Sequence, residues 1–256
     1  MIALIAVFLA LSAAGTAFGQ GQFRTIGSIA FSYYSDQRYG LDWEDVFIAP
    51  LPAGFYLVAA ASGVNTSFSD QTGGRLGLAF DLPGAYYGES SYALKYDWRE
   101  NSFLHTAYLS ASYESEPALA SISLTGEFSA SSMGGVLSPA LRYTVVPELT
   151  LSTTLFVAFH HYEPDEQFFN VAVLGSGEYA LAPGILLALG GTFSTVYEPT
   201  NQYEKWSILG GITVKPSALL SLKSQLEYAN AMKAEINPHE IVSIRLVADV
   251  KFRSKD

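Results

Sequence analysis

His160 and His161 stand side by side, with Glu163, Asp165 and Glu166 just beyond them and His105 further back in the chain. Imidazole nitrogens and carboxylate oxygens are metal ligands, so this group is where an ion could be held. Adjacent residues on a strand point to opposite faces, however, and two neighbouring histidines share one ion only across a bend. Hydrolysis would need a nucleophile, a base and a group that orients the base. Serines are abundant, but no spacing pairs His105, His160, His161 or His239 with a serine and a carboxylate. The Gly190-Gly191 and Gly210-Gly211 pairs lie inside alternating runs with no helix after them, which favours bends or close backbone approach over a phosphate loop. The expectation is no metal, no cofactor, no catalytic residue and no enzyme.

The remaining candidates are charges spread along the chain, and their role depends on the elements that carry them. Between Ala182-Pro183-Gly184 and Lys215-Pro216-Ser217 lie two runs of alternating side chains. The first sets Ile185, Leu187, Leu189, Gly191 and Phe193 against Ala188, Gly190, Thr192 and Ser194. The second sets Trp206, Ile208, Gly210, Ile212 and Val214 against Lys205, Ser207, Gly211 and Thr213. Period two is the signature of a strand with one apolar and one polar face, and the pair reads as a hairpin with a polar tip at 198–202. Proline turns recur at 52, 83, 117, 147, 183 and 216, spaced by 31, 34, 30, 36 and 33 residues. Each period holds two strands and one polar tip, which predicts fourteen strands, with twelve as the alternative count. The second strand, near 41–49, has the weakest pattern, because Asp42, Glu44 and Asp45 surround Trp43.

Most of these runs exceed the five or six residues usual in globular sheets and match the roughly 9–11 residues of a tilted membrane-spanning strand. Residues 1–19 have the form of a secretory signal peptide: an apolar run from Ile2 to Leu11, small residues, and Ala17-Phe18-Gly19 before Gln20. The one departure is a start without Lys or Arg. There is no cysteine, so a disulfide scaffold is excluded, and a formal net charge of −10 leaves no basic footprint for nucleic acid. Aromatic residues gather at strand ends. Tyr96, Trp98, Phe103, Tyr197 and Trp206 lie toward the polar tips, and Tyr86, Tyr143, Tyr179 and Phe252 toward the proline turns. Two such rings fit the interfacial girdles of a membrane barrel.

The last run alternates Val242, Ile244, Leu246, Ala248, Val250 and Phe252 against Ser243, Arg245, Asp249 and Lys251. It resembles the C-terminal recognition strand of bacterial outer-membrane proteins, although Arg253-Ser254-Lys255-Asp256 follow its aromatic residue. Across residues 20–256 the chain resembles the outer-membrane β-barrel class, and within it monomeric porins and small-solute channels. The resemblance implies one all-β domain, a transmembrane up-and-down antiparallel barrel with short proline turns and short polar exterior tips. It also implies outer-membrane lipid around the barrel, recognition of the last strand by the barrel-assembly machinery, and passage of small solutes.

Placing the apolar set toward lipid puts the opposite set in the lumen: Arg24, Arg75, Asp81, Glu89, Lys95, Asp97, Arg99, Glu127, Arg142, Glu178, Lys205, Lys223, Glu227, Arg245 and Asp249. The acids of the second strand are assigned to tips and turns. Fourteen strands enclose water unless something fills the space, and the chain has little length to spare for a plug. The reading is passive diffusion of small polar solutes or ions. The alternatives are uptake of hydrophobic compounds and a closed structural or adhesive barrel. No latching loop is evident, which favours a monomer.

Overall fold

A computed structural model describes residues 22–35, 39–66, 70–162, 166–197, 202–232 and 240–253. The proposed signal peptide lies outside them. Fourteen strands follow one another: β1 (Gln22–Tyr34), β2 (Tyr39–Pro50), β3 (Phe55–Thr66), β4 (Asp70–Leu82), β5 (Tyr86–Asp97), β6 (Ser102–Ser115), β7 (Ala118–Phe128), β8 (Ser132–Val146), β9 (Leu149–Tyr162), β10 (Glu166–Ala182), β11 (Ile185–Tyr197), β12 (Gln202–Ser217), β13 (Leu220–Met232) and β14 (Glu240–Arg253). Each pairs antiparallel with the next, and β1 pairs with β14, so the sheet closes into a barrel. Closure leaves no open edge, which is what lets strands satisfy their backbone groups inside a bilayer.

The two faces of the sheet have inverted polarity. Outward positions carry large apolar side chains held in the open, such as Leu189 (68% exposed) and Leu226 (54%). A water-soluble protein rarely exposes a contiguous apolar surface of this extent. The inward positions are mostly small, hydroxylic or charged. Every strand is at least 11 residues long, enough to cross hydrocarbon at a tilt.

The proline turns at 52, 83 and 183 are tight because residues next to the prolines take the left-handed conformation. Gly84 and Ala85 have φ of 86° and 68°, and Gly184 has φ of 78°. A Cβ on Gly184 would lie 2.9 Å from the Lys215 carbonyl oxygen, so glycine is required there twice over. Pro216 differs from the expectation. It lies within the end of β12, where the register with β13 shifts between Val214 and Ser217. Its missing N–H is tolerated because the ladder is already broken at that point.

The expected aromatic residues of the strands all fall on outward register positions: Tyr86 and Tyr96 on β5, Phe103 on β6, Tyr143 on β8, Tyr179 on β10, Trp206 on β12 and Phe252 on β14. Tyr197 takes an outward position on β11, and its side chain lies outside the described residues. Trp98 stands in the tip after β5, with its ring centroid 4.8 Å from that of Tyr96, and Tyr96 in turn packs against Phe103 at 5.0 Å. At the opposite end Tyr86 and Tyr113 are 4.8 Å apart.

The second strand corrects the sequence reading. Asp42, Glu44 and Asp45 are not at a tip but inside β2. Asp42 and Glu44 point inward, paired with Ala30 and Ser28 of β1, and Asp45 faces the other way, opposite Gly27. The alternation fails here because both faces of β2 become apolar toward its end. Val46 joins Val58 and Ala79 in an inward cluster with Ile26, Ile48, Tyr56 and Ala60 packed on it. On the outward side Phe23 and Phe47 stack beside Ala49. Hydrophobic pattern identifies a face only where the other face is polar.

Candidate pore wall and its charges

Strand register places the candidate lumen residues one by one. Arg24 and Asp249 share the inward face where β1 meets β14. Arg75 and Asp81 point inward from β4, Glu89, Lys95 and Asp97 from β5, and Glu127 from β7. Arg142, Glu178, Lys205, Lys223, Glu227 and Arg245 do so from β8, β10, β12, β13 and β14. Arg99 is not on the wall. It belongs to the tip after β5, where its Nη2 donates to the Thr66 carbonyl oxygen at 2.7 Å.

These charges are not equivalent. Arg24 is clamped: its Nε and Nη2 donate to the two carboxylate oxygens of Asp249 at 2.9 and 2.8 Å. Asp97 holds the tip in shape, accepting from the backbone N–H groups of Arg99 and Glu100 and from the Gln71 amide. Asp81 accepts from the Tyr56 hydroxyl at 2.8 Å. Arg142 and Glu178 approach at 3.4 Å across β9, the one strand between them. Arg75 is held loosely between two acids. Its Nη2 is 3.9 Å from Glu44 and its Nη1 3.7 Å from Glu89, both beyond hydrogen-bonding distance.

Around the barrel the wall divides into two sectors. From β12 through β14 to β5 it carries most of the charges. From β6 to β11 the polar side chains of its middle are hydroxylic, interrupted by Val136, Phe156 and Leu174: Ser110 and Ser112, Ser121 and Ser123, Ser138, Thr150 to Thr154 at alternate positions, Ser176, Thr192 and Ser194. Ser152 and Ser176 bond across strands at 2.8 Å. Charge alone does not reveal this sector. The signal was present, since Ser-x-Ser-x-Thr at 121–125 and Thr-x-Ser-x-Thr at 150–154 are inward faces written out at period two.

Among the described residues two cavities open from the interior. One, of about 360 Å³, is lined by Asp42, Glu44, Arg75, Ser91, Lys95, Thr106, Tyr108, Thr125, Glu127 and Arg245 among others. The second, of about 630 Å³, borders the hydroxylic sector and includes Glu89. They share Tyr108, Thr125 and Glu127, so they adjoin along the same stretch of wall.

The described histidines do not converge, and His239 lies outside the described residues. His160 takes an inward position on β9 and His161 an outward one. His105 lies outward on β6 and hydrogen-bonds the Tyr92 hydroxyl. Glu163, Asp165 and the side chain of Glu166 lie outside the described residues. Among the described residues no three His, Asp or Glu side chains gather as a metal site.

Solved structures with the same architecture are numerous. An outer membrane channel from Pseudomonas putida F1 superposes with a TM-score of 0.60 at 11% identity, covering 93% of this chain and 97% of the other. An anion-selective porin from Comamonas acidovorans gives 0.57 at 9%, covering 91% and 99%. The fold is that of an outer-membrane β-barrel. OmpT, an outer membrane protein of Vibrio cholerae, gives 0.56 at 10%, covering 91% of this chain and 97% of its own. The chain matches no protein-family model and no curated protein sequence. At these identities the likeness concerns the barrel itself, and the charges on its wall have to be read from this chain alone.

Proposed function

We propose that the protein is an outer-membrane channel through which small polar solutes and ions diffuse passively. The observation that carries this reading is the inverted polarity of the barrel: apolar outside, charged and hydroxylic inside. No described element crosses the interior. Charged side chains facing hydrocarbon near the midplane cost about 2–4 kcal/mol each for Arg or Lys, so the inward set is placed where water can reach it. Rings of charge on such a wall bias which ions pass. The outward aromatics at both ends act as interfacial anchors, β14 serves as the strand recognised during barrel assembly, and the barrel works as a monomer. The reading assigns no catalytic residue.

Uptake of hydrophobic compounds, the alternative, calls for an open apolar pocket inside the wall. On β1 to β4 the inward apolar side chains instead pack on one another, with Val58 and Ala79 almost fully buried, and the larger cavity sets Leu119, Val136 and Phe156 among serines and threonines. A closed structural barrel calls for an occluded interior.

Single-channel recording in a planar bilayer tests the proposal. Discrete conductance steps with a reversal potential in asymmetric salt are expected. A folded, inserted barrel that gives no steps would overturn the channel reading.

A further inference from the structure

Four residues that line the smaller cavity each hold a buried polar atom without a hydrogen-bond partner: Asp42 Oδ1, Arg75 Nε, Ser91 Oγ and Thr106 Oγ1. They come from β2, β4, β5 and β6, within one run of five consecutive strands. Ser91 is 6% exposed, so its hydroxyl is confined to this recess. A buried donor or acceptor left unpaired is costly, and four around one recess mark a place that expects an occupant.

The recess is balanced in charge. Asp42, Glu44 and Glu127 contribute three carboxylates, and Arg75, Lys95 and Arg245 three cations. A site for anions or for cations would show an excess of one sign. Arg75 is the distinctive member. The Arg24 fork is closed on Asp249, whereas Arg75 stands off both of its acids, at 3.7 and 3.9 Å. Its planar fork matches a carboxylate in two-point geometry, and the unpaired Asp42 oxygen is an acceptor for an ammonium.

We propose that this recess is a binding site for small zwitterions, molecules carrying a carboxylate and an ammonium a few bonds apart. Arg75 receives the carboxylate, Asp42 the ammonium, and the Ser91 and Thr106 hydroxyls complete the hydrogen bonds of either group. The cavity of about 360 Å³ accommodates one such molecule with some water. The proposal deepens the channel reading and rests on it for access to the recess.

The test is saturation-transfer NMR on the purified protein in detergent micelles, with glutamine as the zwitterion and arabinose as a neutral solute of similar size. Saturable glutamine binding is expected, weakened about tenfold in Arg75→Gln and clearly reduced in Asp42→Asn, with arabinose much weaker. Ser91→Ala removes one hydroxyl with little risk to folding and should also weaken glutamine. Heat-modifiable migration on gels verifies that each variant is folded. Equal signals for glutamine and arabinose, or glutamine binding unchanged in both Arg75→Gln and Ser91→Ala, overturn the site and leave water as its occupant. Conductance steps recorded in parallel separate the two ideas. Steps without glutamine binding overturn the zwitterion site and spare the channel. Glutamine binding without steps overturns the channel and spares the site.

Discussion

Arg24 and Asp249 are 225 residues apart in sequence and form a two-point ion pair across the seam where the first strand meets the last. On the same inward face the Ser32 and Ser243 hydroxyls bond at 2.8 Å. The seam is the one strand pairing that cannot form until the whole barrel is in place, since its partners are the ends of the chain. Charge-assisted forks are stronger than neutral hydrogen bonds, but partial exposure of both groups discounts this one. Arg24→Ala and Asp249→Ala should each lower stability by about 1 kcal/mol, and the double variant should cost less than the sum. Urea unfolding of the four proteins of the cycle in lipid vesicles measures the coupling. Strict additivity would mean that the pair contributes nothing to closure.

The lipid-facing side can be tested at mid-strand. Leu226 points outward at the centre of β13 and is 54% exposed on the bare barrel. Leu226→Arg should cost about 2–4 kcal/mol when unfolding is measured from a bilayer. Ser121→Arg, on the inward face of β7, should leave stability nearly unchanged and reduce conductance by narrowing the hydroxylic sector. If both variants behaved alike, the assignment of faces would be wrong.

Close approach of β4 and β5 depends on Gly77. A Cβ there would stand 2.3 Å from Ser91 Cβ and 2.7 Å from the Ser90 carbonyl oxygen. Gly77→Ala should therefore destabilise the barrel by about 1–3 kcal/mol, the usual range for an overpacked site. Gly175 and Gly210, with nothing within 4 Å of the added carbon, should accept alanine at a cost below about 0.5 kcal/mol. Thermal shifts of the gel-mobility transition read the contrast.

Ion preference should follow the sign of the wall. Arg245→Gln removes a cation beside the smaller cavity and should move the reversal potential toward cation selectivity. Asp42→Asn or Glu44→Gln should move it the other way. Both shifts should shrink as salt is raised, because the screening length falls from about 10 Å at 0.1 M to about 3 Å at 1 M. Shifts of one sign from all three variants would place control of selectivity elsewhere than this wall.

Much of the architecture was legible in the chain because a strand obeys period two. Leu187, Leu189 and Phe193 announce an outward face as plainly as Thr192 and Ser194 announce the inward one, and the recurring prolines count the hairpins. The same rule put Arg75, Lys95 and Arg245 on one side of the sheet without any structure. It failed for Asp42 and Glu44, because Val46, Phe47 and Ile48 make both faces of β2 apolar, so alternation no longer tells one from the other.

What period two cannot say is who stands opposite whom across the closed sheet. That depends on the register of each strand pair and on the seam that joins β1 to β14. Only the tertiary structure therefore decided that Arg24 is clamped by Asp249 while Arg75, outwardly the same residue on the same face, is left between Glu44 and Glu89 without a hydrogen bond to either. Alternation in the sequence put most of the charged side chains on one face of the sheet. Their partners were decided by closure, because a side chain's neighbours across strands are separated from it by tens to hundreds of residues along the chain.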